Sequence, residues 1–275
     1  MKKVLKKLTF AGWGSIVIIT FVVIVAVFAP FIATHNPTET SPERVLKSES
    51  GYLLGCDQLG QCVFSRLVYG ARLSLIIGFA ARFVALVIGV AVGLIAGYFG
   101  GWIDWGLMRV VDMFLAFPSL LLAIAISLAM GSGIGTVIFA IAISGWAETA
   151  RIIRSSALEL RNAEYVIAAK TMGASDLRII LTHILPNCFP IVIVIFTMGI
   201  ATAVLSEASL SFLGLGVDSS VPTWGGMVSS GNTYLMQAPG LVFWPGTCIA
   251  LLVISFNILG DELRDILDPS GKSKI

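Results

Sequence analysis

The chain has 275 residues, of which 57% are hydrophobic and 12% charged, with a mean hydropathy of +0.93 and a formal net charge of +2. Soluble domains carry about 25% charged residues, so the composition excludes a water-soluble globular protein and describes an integral membrane protein. The slight positive balance forms no basic stripe interleaved with aromatic residues, so it points to membrane topology and not to nucleic acid.

A hydrocarbon core of roughly 30 Å needs about 20 apolar residues in a helix. Six stretches meet or approach that length: 12–33, 73–99, 107–130, 134–149, 188–205 and 241–259. The first follows a basic head of Lys2, Lys3, Lys6 and Lys7. Its apolar run exceeds the roughly 7–15 residues of a signal peptide and lacks a small-x-small motif directly after it, so we read it as a retained helix. An outer loop, 34–71, carries Cys56 and Cys62, for which a disulfide and two separate thiols are both open. In the second span Ala81, Ala85, Gly89, Gly93 and Gly97 recur every four residues, a row that lets a neighbouring helix approach closely. Arg82 lies in the same span, either paired with a carboxylate such as Glu207 or reaching the interface from a span that starts later.

Near the start of the third span Arg109 and Asp112 stand three apart, as an intrahelical ion pair would, and Pro118 should kink the helix. The fourth stretch is short and ends in Trp146 and Glu148. Next comes a polar insert, about 151–187, between two spans. Residues 159–172 lack Gly and Pro and are rich in helix formers, Gly173 ends that helix as a C-terminal glycine does, and 176–185 forms a second helix before Pro186 and Pro190. Ala168 and Ala169 leave a flat, small surface beside Tyr165 and Met172, suited to a groove on another protein. A helix lying on a membrane would show bulkier apolar residues on one face.

With the N-terminus inside, Lys2, Lys3, Lys6, Lys7, Arg151, Arg154, Arg161, Lys170, Arg178, Arg264, Lys272 and Lys274 fall in cytoplasmic segments, against Arg44, Lys47, Arg66 and Arg72 outside. This asymmetry places both termini and the polar insert of a multi-pass membrane protein in the cytoplasm. Catalytic motifs are missing: no HExxH, no GxSxG, and two histidines, His35 and His183. Gly271-Lys272-Ser273 imitates the end of a phosphate loop, but Ile266 stands at its first glycine position. The chain reads as a non-enzyme with no cofactor or metal of its own; nucleotide energy, if used, comes from another chain.

The insert and its flanks carry a resemblance. EYVIAAKTMGASDLRIILTHILP, aligned on Gly173, is similar to the cytoplasmic loop of permease subunits of binding-protein-dependent ABC importers, in which EAA, three residues, Gly, nine residues and I-x-L-P follow in order. Ala168, Ala169, Gly173, Leu185 and Pro186 match; Ile167 stands where glutamate is usual and His183 where isoleucine is, while Glu164, one turn earlier, offers a carboxylate on the same face. LGCDQLGQCVFSRLVYGARLSL, GYFGGWIDWGLMRVVDMFLAFPSLLLAI, EASLSFLGLG, PTWGGM and FNILGDELRDILDP resemble further segments of the dipeptide, oligopeptide and nickel branch, in the family's order. In the first of these Cys56 replaces a threonine, and Gln61 and Cys62 replace Arg-Asp.

The resemblance implies an all-α membrane protein of about six transmembrane helices with the type I importer permease fold: first helix to 33, outer loop 34–71, five-helix core 72–260 and cytoplasmic tail 261–275. It implies a homologous second permease subunit, two ABC ATPase subunits that bind ATP and Mg, an extracytoplasmic solute-binding protein and membrane lipid as partners. ATPase coupling falls to Glu164, Ala168, Ala169, Gly173 and Asp176; an outer gate or binding-protein contact falls to Glu207, Gly214, Gly216, Pro222 and Trp224. Small peptides are the default substrate, with nickel or a nickel chelate as the competitor that Cys56 and Cys62 mildly favour. A secondary transporter or channel without an ATPase is the rival from another class; it would place several ionisable groups near the midplane, where this chain offers Arg82.

Overall fold

A computed structural model describes residues 8–47, 51–218 and 220–267. The basic head at Lys2, Lys3, Lys6 and Lys7, and the tail with Gly271-Lys272-Ser273 and Lys274, lie outside the described residues. Lipid offers backbone groups no hydrogen-bond partner, and the chain answers with helices throughout its apolar stretches. Among the described residues, five helices are long and apolar enough to cross a membrane: α1 (Phe10–Val27), α2 (Val63–Phe99), α5 (Ile134–Arg161), α7 (Asp176–Phe212) and α9 (Gly240–Leu267). Between them lie α3 (Gly101–Leu115), α4 (Ser119–Met130), the short α6 (Glu164–Thr171) and the outer α8 (Trp224–Asn232).

Sidedness follows from who meets whom. The start of α1 touches the end of α9 through Thr9 N–H, which donates to Glu262 Oε2 at 3.2 Å. The start of α2 meets α8 and the start of α9 at the other face, where Val63, Met227 and Leu241 form one cluster. The first face also holds the end of α2, the end of α5 and α6, in agreement with the charge asymmetry.

The centre of the fold is the crossing of α2 and α5. A Cβ on Gly89 would lie 2.6 Å from Thr149 Cβ, one on Gly93 2.6 Å from Ala150 O, and one on Gly97 2.6 Å from Ala157 Cβ. The four-residue row of small side chains is therefore a seam where two backbones touch, as van der Waals packing in lipid demands.

Several boundaries differ from the sequence reading. The first span stops at Val27; Pro30 cannot donate backward, so Phe28 interrupts the helix and Ala29–Ile32 add one separate turn. The second helix starts at Val63, inside the stretch expected to be outer loop, which puts Arg82 mid-helix. The third span is no simple kink. Residues 116–118 are not helical, and α3 and α4 meet at 83°. Twelve residues of α4 reach only about 18 Å, too short for a full crossing alone. Instead α3 exposes Trp102 and Trp105, and Asp104 and Asp112 bind Arg154 and Arg151 of α5, an arrangement suited to the cytoplasmic membrane surface. The expected Arg109–Asp112 pair is present at 3.9 Å, but Arg151 is closer to Asp112, at 2.5 Å.

The fourth span continues as helix from Ile134 to Arg161, taking the first part of the insert with it. The expected single helix over 159–172 is thereby divided at Asn162 and Ala163, because burying Val166 and Ala169 against Tyr98 and Ile153 requires the chain to turn there. Tertiary packing overrides propensity. The helix from Asp176 does not end at Pro186 either. A π-turn over Ile180–Ile184 lets Leu185 N–H donate to Ile180 O, absorbing the proline within a 37-residue helix.

On the outer side the loop before α2 is organised by Asp57. Its Oδ1 accepts from Leu59 N–H and Gln61 N–H, both at 2.9 Å, and its Oδ2 lies 3.4 Å from Arg66 Nε. Gln61 accepts from Arg66 Nη1 and donates through Nε2 to Thr38 O at 3.3 Å. The residue that departs from the family segment thus builds the loop itself. Cys56 and Cys62 face each other across an antiparallel bridge, and no disulfide joins them.

Candidate functional site

The cytoplasmic end of the bundle is built around α6. Its axis is fixed from below by Val166 and Ala169, 2% and 5% exposed, which pack with Tyr98, Ile153, Ala157 and Ile179. Its other face is open: Glu164, Ile167, Ala168 and Met172 all reach solvent, the last 82% exposed. The helix ends in a Schellman motif. Gly173 adopts φ +83°, its N–H donates to Lys170 O at 3.0 Å, and Ala174 N–H donates to Ala169 O at 3.1 Å. Gly173 is required there by backbone conformation alone, since a Cβ would meet nothing within 4 Å.

Of the five residues expected to couple, Glu164, Ala168 and Gly173 lie on or beside the open face, and two lie off it. Ala169 is buried, one helical step round from Ala168, so the flat surface is Ala168 with its exposed neighbours. Asp176 accepts a hydrogen bond from Tyr98 Oη at 2.5 Å, which pins the first turn of α7 to the end of α2. Arg161, at the end of α5, donates to Tyr98 O at 3.2 Å and closes the same corner. Sequence reasoning missed Arg161, three residues before α6, and Tyr98, which is remote from α6 in the chain; for Tyr98, GYFGGW, rich in turn residues at the end of an apolar run, was the available signal. A cleft of about 540 Å³ opens between Tyr98, Phe99, Arg161, Ile167, Lys170 and Asp176. His183, on the π-turn, has its ring 6.4 Å from that of Tyr165.

The outer group is also regrouped. Glu207 lies within α7, fully buried, and accepts from Ser74 Oγ at 3.3 Å and Ser211 Oγ at 2.8 Å, with Thr223 as a third partner. Trp224, 2% exposed, is the first residue of α8; its N–H donates to Ser74 Oγ at 3.3 Å and its Nε1 to Leu67 O at 2.9 Å. Pro222 and Gly216 are buried, and a Cβ on Gly216 would overlap Ser211. Glu207 and Trp224, with Ser74, Ser211 and Thr223, form a polar knot that joins α2, α7 and α8. Gly214 alone of the group is exposed, at φ +77° in a second Schellman motif that ends α7.

Arg82 and Glu207 do not pair. Arg82 Nη2 donates to Thr149 Oγ1 at 3.1 Å and Ile195 O at 2.9 Å, so the guanidinium bridges α5 and α7, and a Cβ on Gly199 would overlap it. No group of three His, Cys, Asp or Glu side chains among the described residues could hold a metal ion.

Residues 89–272 match the family described as binding-protein-dependent transport system inner membrane component. The chain belongs to this family. Residues 11–48 match a second profile, the N-terminal TM domain of oligopeptide transport permease C. The chain is 45% identical over 272 residues to the dipeptide transport system permease protein DppC of Alkalihalophilus pseudofirmus, covering 98% of this chain and 89% of that protein. It is 39% identical to the oligopeptide transport system permease protein OppC of Bacillus subtilis, with 96% and 86% covered. With the glutathione transport system permease protein GsiD of Pectobacterium atrosepticum it shares 43% identity over 82% and 74%. Among solved structures, the fold is similar to the MetNI methionine ABC transporter in an inward-facing form, with TM-score 0.60, 20% identity and coverage of 73% of this chain and 96% of that one. The protein is thus a multi-pass inner-membrane permease subunit of a binding-protein-dependent transport system, and family members of this kind carry no catalytic or nucleotide-binding site.

Proposed function

We propose that this permease subunit forms half of a peptide translocation path and takes up the motion of cytoplasmic ATPases through α6. The observation that carries the reading is the two-sided character of α6: Val166 and Ala169 are locked into the bundle, while Glu164, Ile167, Ala168 and Met172 face outward at its cytoplasmic end. A force applied to that face passes through the Val166 and Ala169 contacts to α2 and α5, and through the Tyr98–Asp176 bond to α7. Ile167 gives the docking face an apolar centre where the family loop has a carboxylate, and Glu164 supplies charge one turn away. The two ATPase subunits would bind ATP and Mg; a homologous permease would supply the other half of the path, and a solute-binding protein would deliver substrate from outside.

Peptides are the substrate class supported by the dipeptide and oligopeptide transport relatives at 45% and 39% identity. A cysteine placed at Ala168 should cross-link to an ATPase subunit in the assembled importer, and the link should block peptide uptake. The reading fails if Ala168→Cys is freely alkylated in the assembled complex and the modified importer transports at the wild-type rate.

A further inference from the structure

We propose that Cys56 and Cys62 are a redox-active dithiol on the outer face, which closes to a cross-strand disulfide and staples the outer loop to the first turn of α2. The hydrogen bonds around the pair decide its geometry. Asp57 N–H donates to Gln61 O at 2.9 Å and Val63 N–H to Gly55 O at 3.1 Å, so the bonds flank the pair and the cysteines themselves occupy a non-hydrogen-bonded antiparallel site. Opposite residues at such a site have Cα atoms about 4.5 Å apart, with both side chains on one face of the ladder. Disulfides span Cα separations of about 4.4–6.8 Å, so the backbone already meets the requirement.

The turn that creates this geometry does not depend on sulfur. Asp57 holds Leu59 and Gln61, and Arg66 holds Asp57 and Gln61, so residues 57–61 are ordered before any bond forms. Both cysteines are departures from the family segment, and the two departures face each other across one bridge. Cys188 and Cys248, by contrast, lie in the long apolar helices α7 and α9.

The oxidant is a small-molecule disulfide. The thiolate of one cysteine attacks it and forms a mixed disulfide, releasing one thiolate; the second cysteine attacks the protein sulfur of that bond, forming Cys56–Cys62 and releasing the other. Two protons leave the protein thiols and two electrons pass to the external disulfide, which ends as two thiols. With exposures of 4% and 2%, the pair reacts when the 57–61 turn lifts.

The test uses the importer complex purified from native membranes and incubated with oxidised or reduced glutathione, each with and without mild urea to lift the turn. After acid quenching and denaturation, free thiols are alkylated with N-ethylmaleimide and tryptic peptides are weighed. Cys56 and Cys62 share the peptide 48–66. The oxidised sample should contain it unlabelled and two hydrogens lighter than the dithiol, with labelling at the pair reduced at least tenfold and Cys188 and Cys248 still labelled. Cys56→Ser should never yield the peptide two hydrogens lighter, and should hold Cys62 either labelled or as its mixed disulfide with glutathione. Full labelling of both cysteines after oxidised glutathione, with and without urea, overturns the proposal, as does pairing of either with another cysteine.

Discussion

Gly173 offers the sharpest test of coupling through α6. Its φ of +83° lies in the left-handed region, and no heavy atom stands within 4 Å of where a Cβ would be, so substitution acts through the backbone alone. An L residue pays about 1–2 kcal/mol to stay in that conformation, with Asn paying less because its side chain can bond locally. The alternative, a right-handed residue 173, sacrifices the Gly173–Lys170 and Ala174–Ala169 bonds and swings Asp176 away from Tyr98. A penalty of about 1–2 kcal/mol shifts the balance between these forms by roughly 5- to 30-fold. In proteoliposomes with ATPases and binding protein, peptide uptake per ATP hydrolysed should fall in the order Gly, Asn, Ala, Val, with membrane insertion unchanged. Wild-type coupling in Gly173→Val would refute the argument. So would a Gly173→Asn variant as poor as Val, which would indicate a steric effect at the partner surface.

Three further outcomes follow from the packing. Gly93→Leu should lower the thermal stability of the detergent-solubilised complex, at an overpacking cost of at least about 1–3 kcal/mol, while Gly14→Leu, where a Cβ meets nothing within 4 Å, should leave its melting curve in place. Tyr98→Phe removes a hydrogen bond to a carboxylate, worth about 1.5–3 kcal/mol, and limited proteolysis should reveal faster cleavage around residues 173–178. Glu207→Leu strands buried hydroxyls on Ser74, Ser211 and Thr223 at about 1–3 kcal/mol for each one left unpaired, whereas Glu207→Gln keeps an acceptor. Size-exclusion recovery of the assembled complex should therefore be much lower for Leu than for Gln.

The helix–glycine–helix segment around α6 was legible in the chain because its signals are local. Gly173 ends a helix in sequence and in space, and the polar insert between apolar runs marks the loop whatever the bundle does around it. The burial of the outer group was not legible, for the opposite reason. Glu207, Pro222 and Trp224 look like loop residues in a stretch of mixed polarity, but Ser74 and Leu67, about 130 to 160 positions earlier, supply the partners that bury Glu207 and Trp224. The same distance in sequence hid the link between Tyr98 and Asp176.

Composition and periodicity alone determined that the chain is helical, membrane-embedded and oriented with its polar insert inside, since lipid leaves the backbone no other solution and charge fixes direction. The four-residue row in α2 likewise announced a close helix contact. Only the tertiary structure decided which helix met that row, where the third crossing bends, which face of α6 stays open, and that Arg82 bridges α5 and α7 without reaching Glu207. Those choices depend on side chains that meet across the bundle, and a guanidinium in the bilayer takes whatever acceptors the packed neighbours bring within reach.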